Sequence, residues 1–95
     1  MRSAGFRFNC KGAHLTYRTH INLEGLHDHI VAIGGQLRWF SGVHETSHGE
    51  TPYDHSHFAF EFMRKVDINA ERRFDFEGIH PNIQKWTGMK HYYNG

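Results

Sequence analysis

The segment Tyr53-Asp54-His55-Ser56-His57-Phe58-Ala59-Phe60-Glu61-Phe62 sets two imidazoles and three phenyl rings in alternation. In an extended strand successive side chains point to opposite faces. His55, His57, Ala59 and Glu61 therefore share one surface, and Ser56, Phe58, Phe60 and Phe62 share the other. The phenylalanine surface is a core face. Two neighbouring imidazoles on the opposite surface can converge on one divalent ion. A carboxylate brought alongside would complete three protein ligands and leave positions open for water or substrate.

The carboxylate must come from a neighbouring element. Leu37, Trp39, Ser41 and Val43 alternate with Arg38, Phe40, Gly42 and His44 in a strand that runs into Glu45. A loop from Thr46 to Asp54 then leads to the histidine strand, and the simplest connection is an antiparallel pair. That pairing predicts Glu45 beside His55 and His57. Glu61 lies on the same strand face as the histidines and is the alternative carboxylate. Cys10 and His14 have a spacing that could chelate zinc, although a lone cysteine matches structural zinc sets poorly and a buried thiol is the commoner fate. His27-Asp28-His29 repeats the His-X-His spacing, but on a helix those side chains diverge and cannot share an ion.

Upstream, Phe6 to Asn9 and His14 to Tyr17 flank Lys11-Gly12, which predicts a first strand with a glycine-permitted irregularity. Asn22 is a suitable N-cap for a helix whose face carries Leu23, Leu26, Ile30 and Ile33, and Gly34-Gly35 ends it. Downstream, Val66 to Arg73 reads as a short helix or turn, Arg73 to Phe76 as a short extended piece, Asn82 to Trp86 as a strand, and the tail after Gly88 as helical. These elements describe one α+β domain over residues 1–95.

The composition agrees with a globular chain: 38% hydrophobic and 22% charged residues exclude disorder, and 15% aromatics predict a core of Phe, Trp and Tyr. A single cysteine rules out an internal disulfide. With no apolar run long enough for a bilayer and no signal h-region behind Arg2 and Arg7, a soluble intracellular protein without a membrane partner is expected. The net charge is only +1 with ten histidines taken as neutral, so charge alone does not announce a nucleic-acid partner. Basic residues are local, at Met63-Arg64-Lys65 and Glu71-Arg72-Arg73. Tyr92 and Tyr93 carry the hydroxyl needed for covalent attack on a phosphodiester beside a divalent cation.

Three segments together resemble a known family. His14-Leu15-Thr16-Tyr17 is similar to the first motif, and His55-Ser56-His57 to the second, of the HUH endonuclease domain in replication-initiator (Rep) proteins of circular single-stranded DNA viruses. Gly78-Ile79-His80-Pro81-Asn82-Ile83-Gln84 is similar to a segment that lies between the second and third motifs of the geminivirus and circovirus kinds. The resemblance spans nearly the whole chain and keeps the order of the motifs.

The resemblance implies a five-stranded antiparallel, RRM-like sheet flanked by helices, and an enzyme that nicks and rejoins single-stranded DNA at the hairpin of a rolling-circle origin. Glu45, His55 and His57 would hold manganese or magnesium, and Tyr92 would be the nucleophile that retains a 5′-phosphotyrosine. The third motif of the family places a lysine three residues after its tyrosine, whereas Gly95 stands there after Tyr92. The tyrosine is therefore Tyr92, Tyr93 or a residue beyond a truncated C-terminus. Arg38, Arg64, Lys65 and Lys85 are candidate phosphate contacts. A downstream helicase domain and action in a host nucleus go with the same resemblance. The alternative is a replication-initiator module that binds single-stranded or hairpin DNA without cutting it.

Overall fold

Gly12 sets the course of the first strand. The structure, a computed structural model, describes residues 8–47 and 53–86. Strand β1 (Phe8–Tyr17) pairs antiparallel with the long strand β3 (Tyr53–Ile68), and the register slips between Cys10 and Gly12. A Cβ at position 12 would lie 2.2 Å from the Phe60 carbonyl oxygen, so the backbones approach there only because the residue is glycine. Beyond the slip, Ala13, Leu15 and Tyr17 face inward, and Gly12, His14 and Thr16 face the other way.

Helix α1 (Leu23–Gly34) begins where the Asn22 Oδ1 accepts from the Gly25 amide at 3.0 Å. It ends at Gly35, whose φ of +95° disfavours an L side chain, with the Gly35 amide donating to the Val31 carbonyl. Leu26 and Ile30 are fully buried from this helix, and Leu23 and Ile33 pack beside them. Strand β2 (Leu37–Ser47) follows and pairs antiparallel with β3. After β3 come a 3₁₀ turn (Glu71–Phe74) and strand β4 (Asn82–Lys85), which pairs with β1. Among the described residues the sheet has four antiparallel strands in the order β2-β3-β1-β4, with one α-helix.

The core lies on one face of that sheet. Phe58, Phe60 and Phe62 of β3 are at most 1% exposed and meet Leu15, Tyr17, Leu26, Ile30 and Phe74 in one cluster. Each such ring contributes about 1.5–3 kcal/mol through burial. Ser56 lies on the same face and is fully buried; its hydroxyl donates to the Thr19 carbonyl at 2.6 Å and accepts from the Ile21 amide at 2.9 Å. The Tyr17 hydroxyl donates to the Phe74 carbonyl at 2.5 Å, and burial pushes its pKa well above the usual tyrosine range. In the segment His14-Leu15-Thr16-Tyr17, the leucine and tyrosine thus serve the core.

Three local expectations are corrected. Of the short helix or turn expected over Val66 to Arg73, only the part from Glu71 is helical: β3 continues to Ile68 because Cys10 and Phe8 of β1 supply partners opposite Val66 and Ile68. Arg73 and Phe74 belong to the 3₁₀ turn, and the extended contact is a bridge between Phe76 and Ile79. The loop expected over Thr46 to Asp54 is shorter, since Thr46 pairs with Asp54 and Ser47 with Tyr53. A further slip between Leu37 and Trp39 sends Leu37 toward Phe62 and the core while Trp39 stands opposite Glu61 on the outer face. The tail after Gly88, with Tyr92 and Tyr93, lies outside the described residues. No helix among the described residues is long and apolar enough to cross a membrane.

Candidate metal centre

Alternation along β3 puts His55 and His57 on the sheet face opposite the phenylalanine core. Register with β2 sets Glu45 directly across from His55 and Val43 across from His57, and opposed residues share a face. The result is a cluster of one carboxylate and two imidazoles whose potential ligand atoms all lie within 4.8 Å of one another. Among the described residues it is the one group of three or more such side chains gathered this closely.

The donor set, two imidazoles and one carboxylate, fits a divalent ion. Bonds of about 2.1 Å at right angles separate adjacent ligands by about 3 Å, and the His57 Nε2 already lies 2.9 Å from the Glu45 Oε1. The His55 Nδ1 is buried and has no hydrogen-bond partner. Leaving such a group unpaired costs about 1–3 kcal/mol, a cost that ligation at the imidazole can offset. The Tyr53 ring stands edge-on to His55 at 4.3 Å between centroids and limits how far that imidazole can turn. Glu45 is 62% exposed in its side chain, which leaves the site open to an incoming ligand.

The inner side of His57 is held by β1. Thr16 is its register partner, and the small Ala59 opposite His14 leaves room for that ring to lean across. The His14 Nε2 lies 3.2 Å from the His57 Nδ1, with the Thr16 Oγ1 at 3.5 Å. Burial, and then the proximity of His57, push His14 below the usual histidine range, which favours its neutral form. Next to the cluster an open groove is lined by His55 together with Thr16, Arg18, Tyr53, His80 and Asn82. The His80 Nδ1 is 2.5 Å from the Asp75 Oδ1, and Arg72 donates to the other oxygen of Asp75 at 3.0 Å.

No protein family matches this chain, and neither does any curated protein.

Glu45, His55 and His57 are the sequence candidates that the fold brings together. Glu61 shares their face, but it lies about 13 Å along the strand from His57 and is taken by the Trp39 Nε1 at 3.0 Å and by Arg38 at 3.8 Å. Cys10 does not chelate with His14: its buried Sγ donates to the Gly12 carbonyl at 3.5 Å, and burial pushes its pKa up. His27 and His29 part as the helix requires, His27 to Asp28 at 3.1 Å and His29 to the Arg73 carbonyl at 2.9 Å.

The candidate phosphate contacts are scattered. Arg38 lies toward Glu61, and Arg64 and Lys65 are exposed roughly 25 Å along β3 from His57. Lys85 stands opposite Ala13, on the helix side of the sheet. Arg18 borders the site without having been singled out by sequence, and Thr16 and His80 were named there only as members of longer segments. The alternation of His14 and Thr16 on one face of β1 was visible, but the register that delivers them to His57 was not. For Arg18 no local pattern exists.

Proposed function

We propose that this chain is an HUH-type nicking and joining domain acting on single-stranded DNA at the hairpin of a rolling-circle origin in a circular viral genome. The observation that carries the proposal is the convergence of Glu45, His55 and His57 on the sheet face away from the phenylalanine core. A divalent ion held there supplies Lewis-acid polarisation of a scissile phosphate. Glu45 contributes negative charge to the site, His55 and His57 contribute neutral nitrogen donors, and Arg18 in the adjoining groove offers a cation to a flanking phosphate. Tyr53, 53% exposed at the groove edge, offers a ring on which a base can stack.

In this reading the nucleophile is the hydroxyl of Tyr92, outside the described residues. Its oxygen bonds to phosphorus, the bond to the 3′-oxygen breaks with its electron pair leaving on that oxygen, and the tyrosine proton ends on the 3′-hydroxyl product. The phosphotyrosyl link conserves the energy of the cut bond, so attack by a free 3′-hydroxyl reverses the step. Arg64 and Lys65 are too far from His57 to touch the reacting phosphate and would meet the strand further along. The strand order β2-β3-β1-β4 is that of a split βαβ sheet and supports the RRM-like architecture, which a fifth strand and further helices would complete. The activity would be exercised on replicating DNA in a host nucleus, with a helicase domain as the neighbour in a longer protein.

The test is a denaturing gel of the chain with manganese and a pool of labelled single-stranded DNA hairpins. A covalently shifted band that chelator abolishes is expected, with peptide mapping to Tyr92. DNA binding without an adduct would instead favour a module that grips the origin without cutting it.

A further inference from the structure

His14 reaches His57 through the sheet rather than through local sequence: 43 residues separate them, and the pairing of β1 with β3 sets their facing nitrogens 3.2 Å apart. A carboxylate only accepts hydrogen bonds. At 2.9 Å from the Glu45 Oε1, the His57 Nε2 is the donor in the metal-free protein, and in the neutral ring its Nδ1 presents a lone pair. The His14 Nε2 then acts as donor, and the Thr16 hydroxyl stands further off at 3.5 Å. Once the His57 Nε2 gives its lone pair to an ion, the ring proton resides on Nδ1, and the neighbour there must accept instead. A neutral imidazole can change from donor to acceptor at one nitrogen by exchanging tautomer, which a lysine, an arginine or a backbone amide cannot do.

We propose that His14 is a positioning residue for the metal site, holding the His57 ring in its ligating orientation and changing from hydrogen-bond donor to acceptor as the ion binds. Each of the two rings moves its proton from Nε2 to Nδ1, and no net proton is released. The inference rests on the metal-binding reading of Glu45, His55 and His57. Outer partners of metal-bound histidines fix the ring and its tautomer, and their loss commonly costs 10–100-fold in metal affinity.

Manganese affinity, read by electron paramagnetic resonance on the full chain, tests this in the wild type, His14→Leu and His14→Gln, with the melting temperature of each recorded without metal. His14→Leu should bind manganese about 10–100-fold more weakly. His14→Gln, whose amide offers both a donor and an acceptor, should stay within a few-fold of wild type. If the leucine variant fails to fold, ¹⁵N spectra of the His14 ring in the wild type decide, because adding magnesium must move its proton from Nε2 to Nδ1. Equal manganese affinity in His14→Leu and wild type would overturn the inference while leaving the metal site standing, as would a His14 that keeps its Nε2 proton in magnesium. A wild-type chain that binds no manganese would overturn both.

Discussion

The chain carries the His-X-His spacing on both a helix and a strand, at His27-Asp28-His29 of α1 and at His55-Ser56-His57 of β3, and the two regions behave differently. On the helix the rings diverge, and each finds an ordinary partner: His27 bonds to Asp28 with its ring against Phe40, and His29 bonds to the Arg73 carbonyl beside Phe76. On the strand the rings stay on one face with centroids 5.7 Å apart, a carboxylate closes the group, and one buried nitrogen is left without a partner. The spacing is the same, and the period of the element decides its chemistry. The helical histidines support packing, whereas the strand pair, with the buried His55 Nδ1 unpartnered beside His57 and a carboxylate, fits a cation.

The largest way to break this contrast is to remove the core that holds β3 extended. Phe60→Ala should lower unfolding free energy by about 3–5 kcal/mol, measured by urea denaturation, because the ring is fully buried on the face behind the histidines. His57→Ala should leave stability near wild type yet weaken manganese binding by at least about 100-fold, or about 2.8 kcal/mol, in a direct titration. Ser56→Ala lies between the two ligands in sequence but serves the other face. Removal of its hydroxyl leaves the Ile21 amide unpaired and should cost about 1–3 kcal/mol of stability with manganese affinity retained. The smallest effect belongs to the helix: His29→Ala loses one hydrogen bond to the Arg73 carbonyl, about 0.5–1.5 kcal/mol, and should not change manganese affinity. A manganese site sensitive to His29 would dissolve the contrast.

Much of this arrangement was legible because it depends on short-range rules. Asn22 and Gly35 bound the helix by capping chemistry, Gly12 marks the irregularity of β1, and a hairpin-like pairing of β2 with β3 is enough to bring Glu45 to His55. What stayed hidden depends on distant partners. The charged run through Arg64, Lys65 and Asp67 resembles a surface turn, yet the strand continues because the start of β1 offers its backbone there. The slip at Leu37 and Trp39 reverses which residue faces the core and cannot be inferred from strict alternation. His14 shows the same limit at the site itself. Its nearest notable sequence neighbour is Cys10, but its structural partner is His57, and only the β1–β3 register joins them.

The central claim is that Glu45, His55 and His57 hold a divalent cation. Its most direct test is a substoichiometric manganese titration followed by ¹H–¹⁵N correlation spectra, in which paramagnetic broadening maps the ion onto the chain. The account predicts signals lost first at Glu45, His55 and His57, then at His14 and Thr16, with His27 and His29 spared. Broadening centred on His27 and His29, or none at stoichiometric manganese, would contradict it.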